Sequence, residues 1–166
     1  MPTYCCYMKP GAFSAEQERR VAEAIALVHH EVTGAPPNLV HVILHAAQGV
    51  RRFVGGHPEE EHIWIMGYIR AGRTDEEIGR LMLGIAREVG AITGMDEHFV
   101  WVYICNIASE HMVKYGGIHP TPGGETAWFE DMPEHVKAYM AYNRPEDSRL
   151  SWAGGRTSPR PDTGPD

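Results

Sequence analysis

Three groups in this chain have the types and spacing for acid–base work on a small anion: the nitrogen of Pro2 and the guanidinium groups of Arg70 and Arg73. Pro2 follows Met1, and an initiator methionine is normally trimmed before so small a residue. Trimming exposes a secondary amine with an ordinary pKa of roughly 8, held rigid by its own ring. Burial beside cations disfavours the protonated amine and brings it towards neutrality, where a general base works best. The plainer reading of Pro2 is a stiff chain start. Arg70 and Arg73, three apart at the end of an apolar run, offer two planar forks to one carboxylate, and each charge opposes protonation of a nearby amine. Taken alone, such a pair reads more readily as a solvated loop.

Other reactive residue types lack productive spacing. The chain has ten histidines, but His41 and His45 fall in an alternating apolar run that reads as a strand. Four residues along a strand span about 13 Å, too far to share one metal ion. His29 and His30 are neighbours that cannot share a helix face, and His57 and His62 flank an acidic loop. No metal site is expected. Cys5, Cys6 and Cys105 form no CxxC pair and leave an odd count, so they read as reduced strand residues.

At 166 residues with 43 % apolar content, the chain suits one compact domain. A formal charge of −7 argues against a general nucleic-acid or anionic-membrane surface, so an anionic ligand must be met by local cations. No stretch has the length and apolarity of a membrane span, and the start lacks the pattern of a signal peptide. A cytoplasmic protein is expected.

The elements that must position these residues emerge when the chain is laid against itself at an offset of sixty. Ser14-Ala15-Glu16-Gln17 answers Thr74-Asp75-Glu76-Glu77, two capping boxes that each open a helix. Thr33-Gly34 answers Thr93-Gly94, where each helix ends in glycine. Leu39 to Leu44 answers Phe99 to Ile104, both strand-like, and Tyr4 to Met8 answers Ile63 to Ile69. Val21, Ala24, Ile25 and Val28 form one helical stripe; Ile78, Leu81, Met82, Ile85 and Val89 form the other. Each half is β-α-β with a right-handed crossover, which makes its two strands parallel. The expected fold is α/β: a duplicated β-α-β unit giving a four-stranded sheet with two helices on one face. The other face is left apolar, and a trimer packing three sheets inward would cover it. From Arg144 onward Pro and Gly dominate, so the expected division is a domain over 1–143 and a disordered tail over 144–166.

With these features in view, residues from Pro2 to about Asn143 resemble the tautomerase superfamily, and within it the cis-3-chloroacrylic acid dehalogenase subgroup. The marks are Pro2 itself, Val21-Ala22 with Ala24-Ile25 before His29, Thr33-Gly34, Phe53 with Gly55-Gly56, Arg70-Ala71-Gly72-Arg73, Trp101-Val102-Tyr103, Met112-Val113 before Tyr115-Gly116, and Trp128-Phe129. The resemblance implies catalysis by an amino-terminal proline, a homotrimer, a small 2-oxo or unsaturated carboxylic acid as substrate, and no cofactor or metal. It implies that Arg70 and Arg73 grip the carboxylate and that His29 assists in binding the carboxylate or carbonyl. It also implies that Tyr103 donates its hydroxyl to the substrate or an activated water. The alternatives from residue type alone are a capping role for His29 at a helix C-terminus and a half-buried strand aromatic for Tyr103.

One position departs from the family. Where the dehalogenases carry a water-activating glutamate before a Tyr-Gly pair, this chain has Lys114, which the resemblance places at the substrate. An ammonium cannot serve as that anionic base. Glu110 stands at helical spacing from Lys114 and is expected to pair with it. The reading that follows is a cofactor-independent keto–enol tautomerase of arylpyruvate-type 2-oxo acids with Pro2 as base. The alternatives are an oxygenase cleaving the enolate with dioxygen to an aldehyde, a cis-3-haloacrylate dehalogenase or hydratase weakened by Lys114, and a non-enzymatic trimeric ligand-binding protein.

Overall fold

A computed structural model describes residues 2–46, 51–59, 61–121 and 123–142. The expected tail, 144–166, lies outside the described residues. The chain divides into two compact units, Met1–Ile107 and the part from Ala108 onward.

The first unit runs β1 (Thr3–Tyr7), α1 (Ala15–Thr33), β2 (His41–His45), a hairpin of β3 (Phe53–Val54) and β4 (His57–Pro58), β5 (Ile63–Arg70), α2 (Asp75–Thr93) and β6 (Val100–Ile107). Both helices open on the expected capping boxes. Ser14 accepts from Gln17 N and Thr74 from Glu77 N, while the Gln17 and Glu77 side chains reach back to the cap backbone. Both close on glycines with φ of 70° at Gly34 and 74° at Gly94, conformations that a side chain disfavours.

The sheet order is β2-β1-β5-β6, with parallel outer pairs and an antiparallel centre. The register exposes a local two-fold relation. Thr3 pairs with His41 as Trp64 pairs with Trp101; across the centre, Tyr4 faces Gly67 as Cys6 faces Ile65. Strand positions in the two halves therefore correspond as Tyr4 to Ile65 and Cys6 to Gly67, and the caps align His29 with Val89 and Phe13 with Arg73.

The core lies between the sheet and the helix pair. Tyr4, Cys6 and Met8 from β1, with Ile63, Ile65 and Ile69 from β5, meet the two helical stripes over Val21, Ile25, Val28, Leu81, Ile85 and Val89. The helices come close where Gly84 meets Val28: a Cβ on Gly84 would stand 2.8 Å from Val28 Cγ1. The opposite sheet face carries aromatic residues, with His45, Tyr7 and Trp64 stacked in a row at centroid separations of 4.7 and 5.0 Å and Tyr103 edge-on to Trp64. Tyr68 and Tyr103 on this face are 40 % and 52 % exposed, as expected for a face that awaits a cover. The three cysteines are free thiols. Among the described residues, no helix is long and apolar enough to cross a membrane.

The second unit holds a hairpin of β7 (Val113–Lys114) and β8 (Gly117–Ile118), then helices α3 (Glu125–Glu130) and α4 (Glu134–Tyr142). Tyr115 approaches Trp128 and Tyr139 at 6.4 and 6.3 Å, and His119 meets Trp128 at 5.3 Å. This hairpin repeats β3–β4 sixty residues on: Gly55 and Gly56 have φ of 59° and 84°, Tyr115 and Gly116 52° and 81°.

Candidate active site

β1 begins at the end of the sheet where β5 finishes, because the two strands are antiparallel and Thr3 pairs with Tyr68. Pro2 therefore sits beside the Ile69–Arg70 end of β5. It is buried, in alternation with Tyr4 and Cys6, and its carbonyl accepts from His41 N at 3.0 Å. Arg70 is the last residue of β5, and Arg73 lies just ahead of the Thr74 cap of α2. Arg73 folds back so that Nη1 donates to the Arg70 carbonyl at 2.8 Å, while its buried Nε has no partner among the described residues. Burial, then the charge of Arg70, holds the Arg73 guanidinium below its ordinary pKa.

His29 is brought to the same cluster from α1. It is fully buried, and its Nδ1 stands 2.7 Å from the Tyr4 hydroxyl. Its Nε2 is buried with no partner among the described residues. Burial pushes the imidazole down to about 3, and the Arg73 charge adds to that shift, so the ring is neutral at physiological pH. Burial also pushes the Tyr4 phenol above its ordinary range; Arg73 acts against this, and the phenol keeps its proton. The capping alternative for His29 is thereby excluded. That role falls to His30, whose Nδ1 donates to the Ala35 carbonyl at 3.0 Å.

Pro2, His29, Arg70 and Arg73 thus gather at one end of the first unit, and Tyr103 does not join them within the chain. Tyr103 pairs in register with Met66, four residues short of the Arg70–Ile107 pair, and lies on the sheet face away from His29. Lys114 belongs to the second unit, on β7. Its expected helical pairing with Glu110 is corrected: Glu110 lies in a short 3-10 turn, Ser109–His111, and Lys114 in a strand, so no shared helix face brings them together. Tyr4 was not singled out by the sequence, where it reads as one more apolar strand residue. The available signal was its alternation with Pro2, which puts both on one side of β1.

The cluster supplies two guanidinium groups for an anion and a neutral imidazole with one nitrogen unpartnered, beside a buried proline. Among the described residues, no three His, Cys, Asp or Glu side chains stand together as a metal site.

Comparison with known proteins accords with this geometry. Residues 1–132 match the Tautomerase_3 family, described as "Putative oxalocrotonate tautomerase enzyme". The solved structure of N1, a member of the cis-3-chloroacrylic acid dehalogenase family, aligns at 30 % identity and a TM-score of 0.77, covering 84 % of this chain and 99 % of that one. The chain belongs to the tautomerase superfamily, in its cis-3-chloroacrylic acid dehalogenase family. Native Ps01740 aligns at 29 % identity and a TM-score of 0.63, over 68 % of this chain and 99 % of that one. Q0 fused 4-OT, a symmetric trimer, aligns at 25 % identity and a TM-score of 0.63, over 70 % and 94 %. A search of curated proteins gives no match.

Proposed function

We propose that the protein is a cofactor-independent keto–enol tautomerase of arylpyruvate-type 2-oxo acids, with Pro2, freed of Met1, as its general base. The observation that carries this reading is the meeting of buried Pro2, the Arg70–Arg73 pair and a neutral His29 at one sheet end. In the enolising direction the Pro2 amine takes a proton from C3 of the 2-oxo acid, and the C–H electron pair forms the C2–C3 double bond. The carbonyl π pair moves onto the C2 oxygen, which then takes the proton from the Pro2 ammonium to give the enol and regenerate the base. Arg70 and Arg73 hold the carboxylate, and the cations with the His29 donor stabilise the developing enolate. Tyr68, two residues before Arg70 on β5, lies with Tyr103 on the sheet face away from His29. A homotrimer covering the aromatic sheet face completes the proposal, and Tyr103 then belongs to a subunit interface.

The test is incubation with phenylenolpyruvate and 4-hydroxyphenylenolpyruvate, with and without oxygen, after intact mass has shown whether Met1 is present. Ketonisation independent of oxygen, by a protein beginning at Pro2, is expected. Oxygen-dependent aldehyde would mean the enolate is oxidised instead, and retention of Met1 would remove the base. Halide release from cis-3-haloacrylates should be slow; a rate comparable to ketonisation would overturn the argument from Lys114.

A further inference from the structure

The Tyr4–His29 bond has a direction that the available donors and acceptors decide. If the imidazole carried its proton on Nδ1, the Tyr4 oxygen would accept it. The phenol proton would then need another acceptor, which the described residues do not supply, and the Nε2 lone pair would also be stranded. With the proton on Nε2, Tyr4 donates to Nδ1 and only one group, the Nε2–H, is left unpartnered. The Arg73 charge, which acts on both residues, works against an imidazolium that would donate from both nitrogens.

Two further features show that this buried pair is not a requirement of the fold. The corresponding residues of the second half are Ile65 and Val89, both fully buried, so the same position is filled there without polar atoms. The chain also makes room for the ring: a Cβ on Gly67, in the middle of β5, would stand 2.6 Å from Tyr4 Cε1. Glycine weakens a central strand, and its counterpart in β1 is Cys6.

We infer that Tyr4 is a positioning residue of the site: its hydroxyl donates to His29 Nδ1 and holds the imidazole as the neutral Nε2–H tautomer, a fixed hydrogen-bond donor for a substrate oxygen. His29 then neither gives nor takes a proton during turnover; it binds oxygen while Pro2 moves the proton. The Tyr4–His29 lock stands on the geometry, whereas its catalytic consequence rests on the tautomerase reading above.

The experiment has a structural and a kinetic arm. Nitrogen NMR of the histidine-labelled protein, with His29 assigned by its loss in His29→Gln, should show a neutral Nε2–H imidazole throughout pH 5–8. Tyr4→Phe, which keeps the ring and removes the hydroxyl, should mix the tautomers. An Nδ1–H or charged ring in the unmodified protein overturns the lock, and that measurement needs no variant to fold. In ketonisation, Tyr4→Phe should lower kcat about tenfold with KM little changed, because the arginines still hold the carboxylate. His29→Gln, which retains a neutral donor, should keep more activity than His29→Leu. Equal loss in the two His29 variants would overturn the donor role. No ketonisation by the unmodified protein, with the Nε2–H tautomer present, would overturn the tautomerase reading and leave the lock in place.

Discussion

The two ends of the sheet are built by the same β-α-β unit and are filled in opposite ways. At one end Tyr4, His29 and Arg73 place hydroxyl, imidazole and guanidinium in or against the core. At the other, the corresponding residues are Ile65, Val89 and Phe13, and all three join the hydrophobic core. The fold is satisfied by the apolar set, which leaves no buried donor to partner. The polar set carries a desolvation penalty with no architectural return, and unpartnered His29 Nε2 and Arg73 Nε remain as its sign; the start of β5 bears a similar cost at His62 Nδ1 and Trp64 Nε1, also buried without hydrogen-bond partners among the described residues. Each end draws on both copies of the duplicated unit, and on the proposed function the polar end gives up some stability to bind an anion.

The sharpest way to break that comparison is to remove charge at both ends. Arg70→Ala and Arg73→Ala should each lose about 2–4 kcal/mol of transition-state stabilisation in kcat/KM, the scale for stripping an ion of its partner. Lys9 and Phe13 are the corresponding positions at the other end, and Lys9→Ala should leave kcat/KM within about twofold, since the ion pair it makes with Glu61 is exposed. Equal losses at both ends, or turnover of the substrate methyl ester as fast as the acid, would show that no carboxylate is gripped at Arg70 and Arg73.

A packing test comes next. Gly67→Ala should destabilise by about 1–3 kcal/mol in urea unfolding, because its methyl group would collide with the Tyr4 ring and Ile104. In a Tyr4→Ile background, which copies the apolar end, most of that loss should disappear. Persistence of the full loss would mean that Gly67 is required by something other than Tyr4.

The most gradual effect, spread over several pH units, is in pH. The folded His29 pKa of about 3 lies below the ordinary value of 6.5, so between these values the unfolded chain binds a proton that the native state refuses. Stability should therefore be complete above pH 6.5 and decline as pH falls towards 3, with a His29 contribution of at most about 1.4 kcal/mol per pH unit. Tyr4 and Arg73, which face the ring, keep their protons across this range. His62 is also held low by burial and adds a slope of the same sign, so the measurement is the difference from His29→Gln. An unchanged slope in that variant would show that His29 titrates normally.

Much of the fold was legible because its signals are local. Ser14 and Thr74 each open a helix and Gly34 and Gly94 each close one, as their side chains dictate, and the alternation in β1 and β5 reports which residues face the helices. The hairpins and the two C-terminal helices were not legible. Each hairpin strand has only two residues and so no periodicity, and at the second hairpin a tyrosine occupies the left-handed position where the first has Gly55. Of the candidate site, Pro2 and the arginines were singled out by residue type together with the family resemblance, whereas Tyr4 needed a cross-element contact that no spacing encodes. Tyr103 was placed on the right strand, but nothing local tells which residues a strand face will meet.

The register also bears on how the molecule comes into being. Pro2, Tyr4 and His29 come from the first half, and Arg70 and Arg73 from the second. They meet through the packing of α1 against α2 and the central pairing of β1 with β5, in which Cys5 finds Met66 roughly sixty residues along the chain, the kind of distant closure that slows folding. Neither half can hold a rudimentary site by itself. A nascent or partly unfolded chain has the proline without its arginines, so the tuned amine of the proposed function would exist only once the whole sheet has joined.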